Sequence, residues 1–168
     1  MKRIIIHWSG GTNEPSQVDY EHYHYLINSK GVVIKGKYTP EDNLNCNDGE
    51  YAQHTGGGNT GSIGVSMCGM HGFAWDYVKH EPRTQSKFAL TKVQCERCFK
   101  LCAELCKKYN LKITPDTVMT HYEFGKKHPT TSSNGKIDIL YLPPYGVMLE
   151  KDVGTFIRNK IKWYYKLL

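Results

Sequence analysis

Two histidines and one aspartate lie in three separate segments of this chain, each at or near the end of an apolar run: His7, His121 and Asp138. A buried strand ending at such a residue would deliver its side chain to the rim of a sheet. Two imidazoles and one carboxylate are a common ligand set for catalytic zinc, with the fourth position left for water. Taken singly, each residue is more simply explained as a hydrogen-bonded, capping or turn side chain. If the three converge, the pattern predicts a metal hydrolase.

The elements that must position these residues can be traced from hydrophobic periodicity and turn residues. Apolar runs predict strands at 3–7, 22–28, 32–34, 62–67 and 113–121, with loops at 71–86 and 124–136. Longer periodic segments predict a helix from Phe88 to Tyr109, with Ser86 as N-cap and Asn110 just beyond its end, and a second helix from Leu149 to Leu168. We therefore expect one α/β domain over residues 1–168, with a mixed central β-sheet flanked by helices.

The two predicted helices differ in the residues that form their faces. Cys95, Cys98, Cys102 and Cys106 fall within an arc of roughly 80° on the first helix, which indicates an apolar stripe packed in the core. A second metal or redox site is the alternative. The second helix has one apolar face, formed by Phe156, Ile157, Ile161, Tyr164 and Leu168, and an opposite face rich in Lys and Arg. That basic face is either simply solvated or in contact with a cell wall or membrane.

Composition narrows the function classes. Lys and Arg number 22 and Asp and Glu 16, a net charge of +6 that suits a polyanionic target or serves solubility alone. No nucleic-acid-binding signature is present, so we expect no nucleic-acid partner. No apolar stretch approaches the roughly 18 residues that cross a bilayer, so we expect no transmembrane segment. The first apolar run, Ile4 to Ile6, is much shorter than a signal peptide requires, which predicts synthesis in the cytoplasm without one.

Five motifs in a fixed order resemble those of the zinc-dependent N-acetylmuramoyl-L-alanine amidases, the family that includes phage amidase-type lysozymes and peptidoglycan recognition proteins. The first is His7-Trp-Ser9, and the second is the hairpin from Tyr23 to Val33. The third runs from His54 through Asn59 into Ser62-Ile-Gly-Val65. The last two are His121-Tyr-Glu123 and Lys136-Ile-Asp138. Together they span nearly the whole chain, so the resemblance is specific.

The resemblance implies a role for each matching residue. Zn²⁺ would be bound by His7, His121 and Asp138, and would activate the water that attacks the amide between the lactyl group of N-acetylmuramic acid and L-alanine. Lys136 would stabilise the charge that develops on the carbonyl oxygen. Tyr23 would orient or deprotonate the water, or help to hold the tetrahedral intermediate. His54 and Asn59 match positions that line the substrate groove, whereas His24 should point to the opposite face of its strand.

Two departures from the family pattern affect this interpretation. Ser66 stands where some branches carry a catalytic Glu, so this chain sides with the phage-like branch that relies on Tyr and Lys. Glu123 is a different carboxylate, either supporting a ligand from behind or purely structural. Only about one helical turn fits between Ser16 and Glu21, where many members have a full helix, so we expect a groove that is more open on that side.

The expected protein is a monomeric peptidoglycan amidase, most simply a phage or prophage endolysin that acts on the cell wall after release. A cytoplasmic amidase that recycles muropeptides would share the same chemistry. The alternative from another class is a peptidoglycan-binding protein without catalysis. Relatives of that kind usually lose a zinc ligand, whereas all three are present here.

Overall fold

The computed structural model of the protein describes residues 1–168. Its main sheet has five strands, in the order β3 (Val33–Lys35), β2 (Tyr25–Ile27), β4 (Ser62–Met67), β1 (Arg3–Trp8) and β7 (Val118–Thr120). Strands β2, β4, β1 and β7 are parallel to one another, and β3 pairs antiparallel with β2 at the edge of the sheet. The predicted mixed sheet in a single α/β domain is therefore confirmed.

Helices cover the sheet. They are α1 (Gln17–His22), α2 (Lys92–Lys108), α3 (His121–Lys127) and α4 (Glu150–Lys166). Strands β1 and β4 lie in the middle of the sheet and are almost entirely buried. Burying each Ile side chain contributes about 2–3 kcal/mol relative to leaving it exposed, so this strand pair is a rigid support for residues at its ends. None of the helices has both the length and the apolar character needed to span a bilayer.

The predicted strand over 22–28 is wrong in its first residues, because a helix precedes the strand. The Ser16 hydroxyl accepts a hydrogen bond from the Asp19 amide, and the Asp19 carboxylate accepts one from the Ser16 amide. This capping box starts α1, which ends at His22, and leaves only Tyr25–Ile27 in β2. The aromatic run from His22 to Tyr25 has the β-propensity that favoured a longer strand.

Helix α2 begins later than predicted, at Lys92, since its N-cap is Thr91 and not Ser86. Thr91 and Gln94 form a second capping box, while the Ser86 hydroxyl instead donates to the His71 carbonyl in the preceding loop. The end of the helix agrees with the prediction. Asn110 has a φ of 53°, the left-handed conformation typical of the residue that follows a helix.

Two segments predicted as loops contain regular structure. The loop at 71–86 includes a hairpin of β5 (Ala74–Asp76) and β6 (Glu81–Thr84). The loop at 124–136 begins inside α3, which starts at His121 because Thr120 and Glu123 form a third capping box. His121 is therefore the first residue of a helix and not the last of a strand. It still follows β7 directly, as the argument from the sheet requires.

The predicted faces of the two long helices are largely confirmed. All four cysteines of the α2 stripe are fully buried as free thiols. On α4, Ile157 and Ile161 are buried and Phe156 and Tyr164 are half-buried, but Leu168 is exposed because the helix ends before it.

Candidate metal centre and groove

The three predicted ligands meet at the carboxyl ends of neighbouring strands. His7 lies near the end of β1, and Ile6 is paired in register with Thr120, the last residue of β7. His121 follows at once, and the loop carrying Asp138 is held beside it by a hydrogen bond from the Tyr122 amide to the Asp138 carbonyl. The parallel register therefore brings together two residues that are far apart in the sequence.

The donor atoms of these residues form a tight triangle. His7 Nδ1 lies 2.9 Å from Asp138 Oδ2 and 3.1 Å from His121 Nδ1, and His121 Nδ1 lies 3.3 Å from the same carboxylate oxygen. Ligand atoms around tetrahedral zinc are about 3.3 Å apart, which follows from bond lengths of about 2.0–2.1 Å. The spacing therefore fits a small ion with a tetrahedral shell, and the three residues leave one position open.

The proton positions on the rings also favour a metal. The Ser133 hydroxyl donates to the Gly56 carbonyl at 2.7 Å, so it must accept its 3.0 Å hydrogen bond from Nε2–H of His121. This tautomer leaves His121 Nδ1 as a bare lone pair that faces Asp138. Because a lone pair and a carboxylate repel each other, the arrangement favours a cation between them.

His54 plays the equivalent role behind His7. Its Nε2 lies 3.3 Å from the Ser62 carbonyl, which can only accept, so His54 Nδ1 carries no proton. That nitrogen lies 3.2 Å from His7 Nε2, which favours a proton on His7 Nε2 and a lone pair on His7 Nδ1. Thr55 supports the pair through its hydroxyl, 2.7 Å from His54 Nδ1. A side chain at Gly64 would exclude His54, because its Cβ would lie 2.5 Å from the imidazole Cγ.

Burial sets the charge states of this cluster. It lowers the pKa of His7 to about 4, against an opposing hydrogen bond with Asp138, and lowers the pKa of His54 well below its ordinary value. Burial alone would raise the pKa of Asp138, but hydrogen bonds from His121 and His7, when these rings carry the facing proton, outweigh burial and place the pKa below the usual range. A cation held between the three residues would keep the carboxylate ionised in the same way. Neutral His7 and His54 rings and an ionised carboxylate are the forms that ligate or support a metal.

A groove of about 530 Å³ opens above the triangle. His121 and Asp138 line it, whereas the His7 ring is fully buried beneath them. Lys136 lines the same groove, is exposed, and takes part in none of the salt bridges of the protein. Its positive charge is therefore available to a ligand in the groove.

Tyr23 also lines the groove, on the side of His7, with the two ring centroids 5.2 Å apart. Burial raises its pKa, and the nearby Asp138 raises it further. In this environment the phenol keeps its proton.

Another wall of the groove is aromatic. The Trp8 and Phe73 rings meet edge to face at 5.3 Å, and Phe73 stacks on Tyr141 with centroids 5.6 Å apart. Phe73 directly precedes the β5–β6 hairpin, so the hairpin missed in the sequence borders the site. Aromatic faces of this kind suit the apolar faces of sugars and side chains.

The remaining sequence-predicted residues have supporting positions. Asn59 is not among the residues that line the groove; its side-chain oxygen accepts hydrogen bonds from the amides of His54 and Thr55 and so shapes their loop. His24 takes no part in the triangle, as predicted, although it precedes β2 and does not lie in it; its ring is bonded to Asn43 and accepts from the Gly64 amide.

Glu123 forms no hydrogen bond with a predicted ligand. Its carboxylate binds Arg158 of α4 through two hydrogen bonds of 2.9 and 3.0 Å, and it also completes the cap of α3. Glu123 thus fixes the helix that begins with His121, which is the structural alternative left open by the sequence. Gly154 permits this contact, because a Cβ there would lie 2.2 Å from a Glu123 oxygen.

Comparison with known proteins gives a family and a fold. A family model described as N-acetylmuramoyl-L-alanine amidase matches residues 1–136. A solved mutant structure of PlyL is 21% identical with a TM-score of 0.50, over 96% of this chain and 84% of that chain. The amidase LysC from Clostridium intestinale URNW is 16% identical with a TM-score of 0.45, over 71% and 69% of the two chains. No curated protein sequence matches the chain.

Proposed function

Because the chain belongs to the N-acetylmuramoyl-L-alanine amidase family, which supports amidase activity on peptidoglycan, we propose that it is a zinc-dependent enzyme of this kind. It cleaves the amide between the lactyl group of N-acetylmuramic acid and L-alanine. The observation that carries the proposal is the convergence of His7 Nδ1, His121 Nδ1 and Asp138 Oδ2 at the floor of the groove.

The donor set accounts for the choice of metal. Two neutral imidazoles and one carboxylate with an open fourth position are the ligands of many catalytic zinc sites. Zinc bound here supplies Lewis acidity, which activates water near neutral pH and polarises a carbonyl. Ser133 and His54 would keep the two ligand nitrogens unprotonated and oriented, the role that such outer contacts have in metal sites.

Tyr23 and Lys136 would act on the substrate from two sides of the groove. The attack of water on the lactyl carbonyl places negative charge on its oxygen, and the free Lys136 ammonium would stabilise that charge. The protonated Tyr23 phenol would donate a hydrogen bond to the same tetrahedral centre or orient the attacking water. The C–N bond then breaks as the proton released by the attacking water passes to the L-alanine nitrogen, which leaves as a free amine while the lactyl group becomes a carboxylic acid.

His54 and Asn59 enter the proposal as positioning residues. His54 is nearly fully buried behind His7, and Asn59 holds the backbone of the His54 loop. His54 also lines the groove, so the substrate surface would be formed by His54 and Lys136 together with the aromatic wall of Trp8 and Phe73. We also propose that the enzyme is a monomer and lyses cell walls as a phage or prophage endolysin, a role consistent with its basic net charge.

The test is digestion of purified peptidoglycan, with mass spectrometry of the products. We expect stem peptides that begin with a free L-alanine, lost after chelation and restored by added zinc. Binding of one zinc per chain without cleavage of either the polymer or soluble muropeptides would contradict catalysis and favour a peptidoglycan-binding protein. Cleavage that survives complete metal removal would contradict zinc dependence.

A second assay separates lysis from recycling. An endolysin should reduce the turbidity of suspended cell walls, whereas an amidase confined to recycling should cleave only soluble muropeptides. Activity on soluble fragments alone would therefore contradict the lytic role while leaving the amidase chemistry intact.

A further inference from the structure

Large apolar side chains are exposed together at the end of α4. Trp163 is 55% exposed and Leu167 is 65% exposed, and Tyr165 on the other side of the same helix end is also exposed. The two other tryptophans, Trp8 and Trp75, are only 6% exposed. An exposed cluster of this kind points to contact with another phase or molecule more than scattered single residues do.

Lysines surround these side chains. Lys107 and Lys112, at and beyond the end of α2, and Lys162 and Lys166 of α4 are all exposed and form no salt bridge. Lys112, Lys162 and Tyr165 line one shallow pocket, and Lys107 donates to the Leu168 carbonyl, so the two helix ends adjoin. The sequence contains no Asp or Glu from 105 to 115 or from 153 to 168. Glu96, which lines a pocket with Trp163, is paired with Lys160 at 2.9 Å. We call these four lysines with Trp163, Tyr165 and Leu167 the basic end.

The basic end lies at the opposite end of the parallel strands from the groove. The predicted metal ligands sit at the carboxyl ends of the parallel strands. Helix α2 starts at that edge, where the Gln94 side chain donates to the carbonyls of Ile27 and Cys68, and then runs back along the sheet. On α4, Arg158 donates to the carbonyl of Val118, the first residue of β7, and the last two turns continue beyond it.

We propose that the basic end docks on an anionic lipid bilayer. Exposed Trp and Tyr rings favour the headgroup region, where one edge is apolar and the other is wet, and each Lys gains from the negative surface potential. A polyanion in water would satisfy the lysines but would give Trp163 and Leu167 no apolar environment. Docking in this orientation directs the groove away from the bilayer surface.

The test uses the full chain and vesicles of phosphatidylglycerol mixed with phosphatidylcholine, compared with pure phosphatidylcholine. Because Trp163 is the exposed tryptophan, its emission should shift to the blue and resist an aqueous quencher only with the anionic vesicles. Added salt should weaken the binding, since it screens the lysines. Absence of binding to anionic vesicles at low salt would overturn the proposal.

Matched variants separate the basic end from net charge. Lys162→Gln with Lys166→Gln should weaken binding to anionic vesicles about thirtyfold. Lys79→Gln with Lys87→Gln makes the same change in charge at exposed positions in the β5–β6 hairpin and the segment after it, and should have little effect. Equal losses in the two double variants would overturn the proposal.

Trp163→Ala distinguishes lipid from a soluble anionic polymer. The variant should lose affinity for anionic vesicles while its weak attraction to a soluble polyanion such as polyphosphate stays unchanged. Unaltered vesicle binding by Trp163→Ala would show that charge alone acts, and would contradict docking through the aromatic residues. None of these measurements uses amidase activity, so the docking proposal and the proposed function can fail separately.

Discussion

Two buried clusters of potential metal ligands lie in this protein, and only one has the geometry of a site. The triangle of His7, His121 and Asp138 has its donor atoms within 4.8 Å of one another, and it is the one group of His, Cys, Asp or Glu side chains that converges in this way. The four thiols of the α2 stripe project side by side from a single helix. Residues three and four apart on one helix point in the same direction and not towards a common centre.

The two clusters also differ in the protonation that their surroundings impose. Ser133 and His54 arrange the two imidazoles with lone pairs towards Asp138. Burial in an apolar layer instead keeps the cysteine thiols protonated, and it raises the pKa of Cys106 to about 12. Since a metal binds the thiolate, a thiol that stays protonated is a packing residue. Residues of metal-ligating types therefore form a site only when several elements direct them to one centre and polar neighbours fix their protonation states.

The largest effect is expected when the carboxylate is removed from the triangle of ligands. Asp138→Ala should lose bound zinc and amidase activity together, because two imidazoles alone leave the ion short of a ligand and of charge. Metal content measured by elemental analysis, alongside peptidoglycan hydrolysis, checks this. Asp152→Ala, a change at an exposed position of α4, is the control and should keep both. Full zinc content in Asp138→Ala would remove Asp138 from the ligand set.

A smaller loss should follow when the groove changes and the triangle is left intact. Lys136→Ala and Tyr23→Phe should each lower kcat by about 10²–10³, the usual cost of losing a group that stabilises developing charge. Both variants should keep the full zinc content, because neither side chain supplies a ligand. Steady-state kinetics on a soluble muropeptide checks the rate. A variant with undiminished kcat would contradict the role assigned to that residue.

The outer hydrogen bonds should have a measurable but lesser effect. Ser133→Ala removes the acceptor that holds the proton on His121 Nε2, and should weaken zinc binding about 10- to 100-fold. Competition with a chromophoric chelator measures the affinity. Ser132→Ala changes the neighbouring, exposed hydroxyl and is the matched control. If both variants bind zinc like the unaltered protein, the tautomer argument for His121 is wrong.

The smallest effect is expected at the cysteine stripe. Cys102→Ala should lower the free energy of unfolding by about 1–2 kcal/mol through loss of buried contacts, with no change in zinc content. Urea denaturation followed by circular dichroism checks this, with Cys46→Ala at a half-buried position as the control. Loss of a metal ion in Cys102→Ala would contradict a purely packing role and would show that the cysteine stripe binds metal.

Much of the triangle was predictable, because strand ends and residue types carry the signal. His7 and His121 follow apolar runs, and adjacent parallel strands bring such residues to one edge. The supporting residues were not predictable in the same way. Nothing in the sequence distinguishes Ser133 from Ser132, since the difference lies in which hydroxyl faces His121. Asn59 matched a position of the family motif, but that match does not reveal that its side chain accepts a hydrogen bond from the His54 backbone.

The errors at three helix starts have a shared cause. Helices α1, α2 and α3 all start at capping boxes whose polar partners lie three residues apart: Ser16 with Asp19, Thr91 with Gln94, and Thr120 with Glu123. At α1 these local hydrogen bonds outweigh the β-propensity of the neighbouring aromatic residues, and at α2 they fix the start one turn later than periodicity predicted. Closer attention to such polar pairs would have moved each helix start to its observed residue.

The span of the triangle along the chain has a consequence for biosynthesis. His7 and Asp138 are separated by 131 residues, so a growing chain exposes its first ligand long before the last one leaves the ribosome. At about 5–20 residues per second, this interval lasts on the order of ten seconds. Throughout it the nascent polypeptide cannot capture zinc in its final coordination. A ribosome-stalled chain that ends before Asp138 should bind zinc no better than Asp138→Ala, so amidase competence would begin only after Asp138 has been translated.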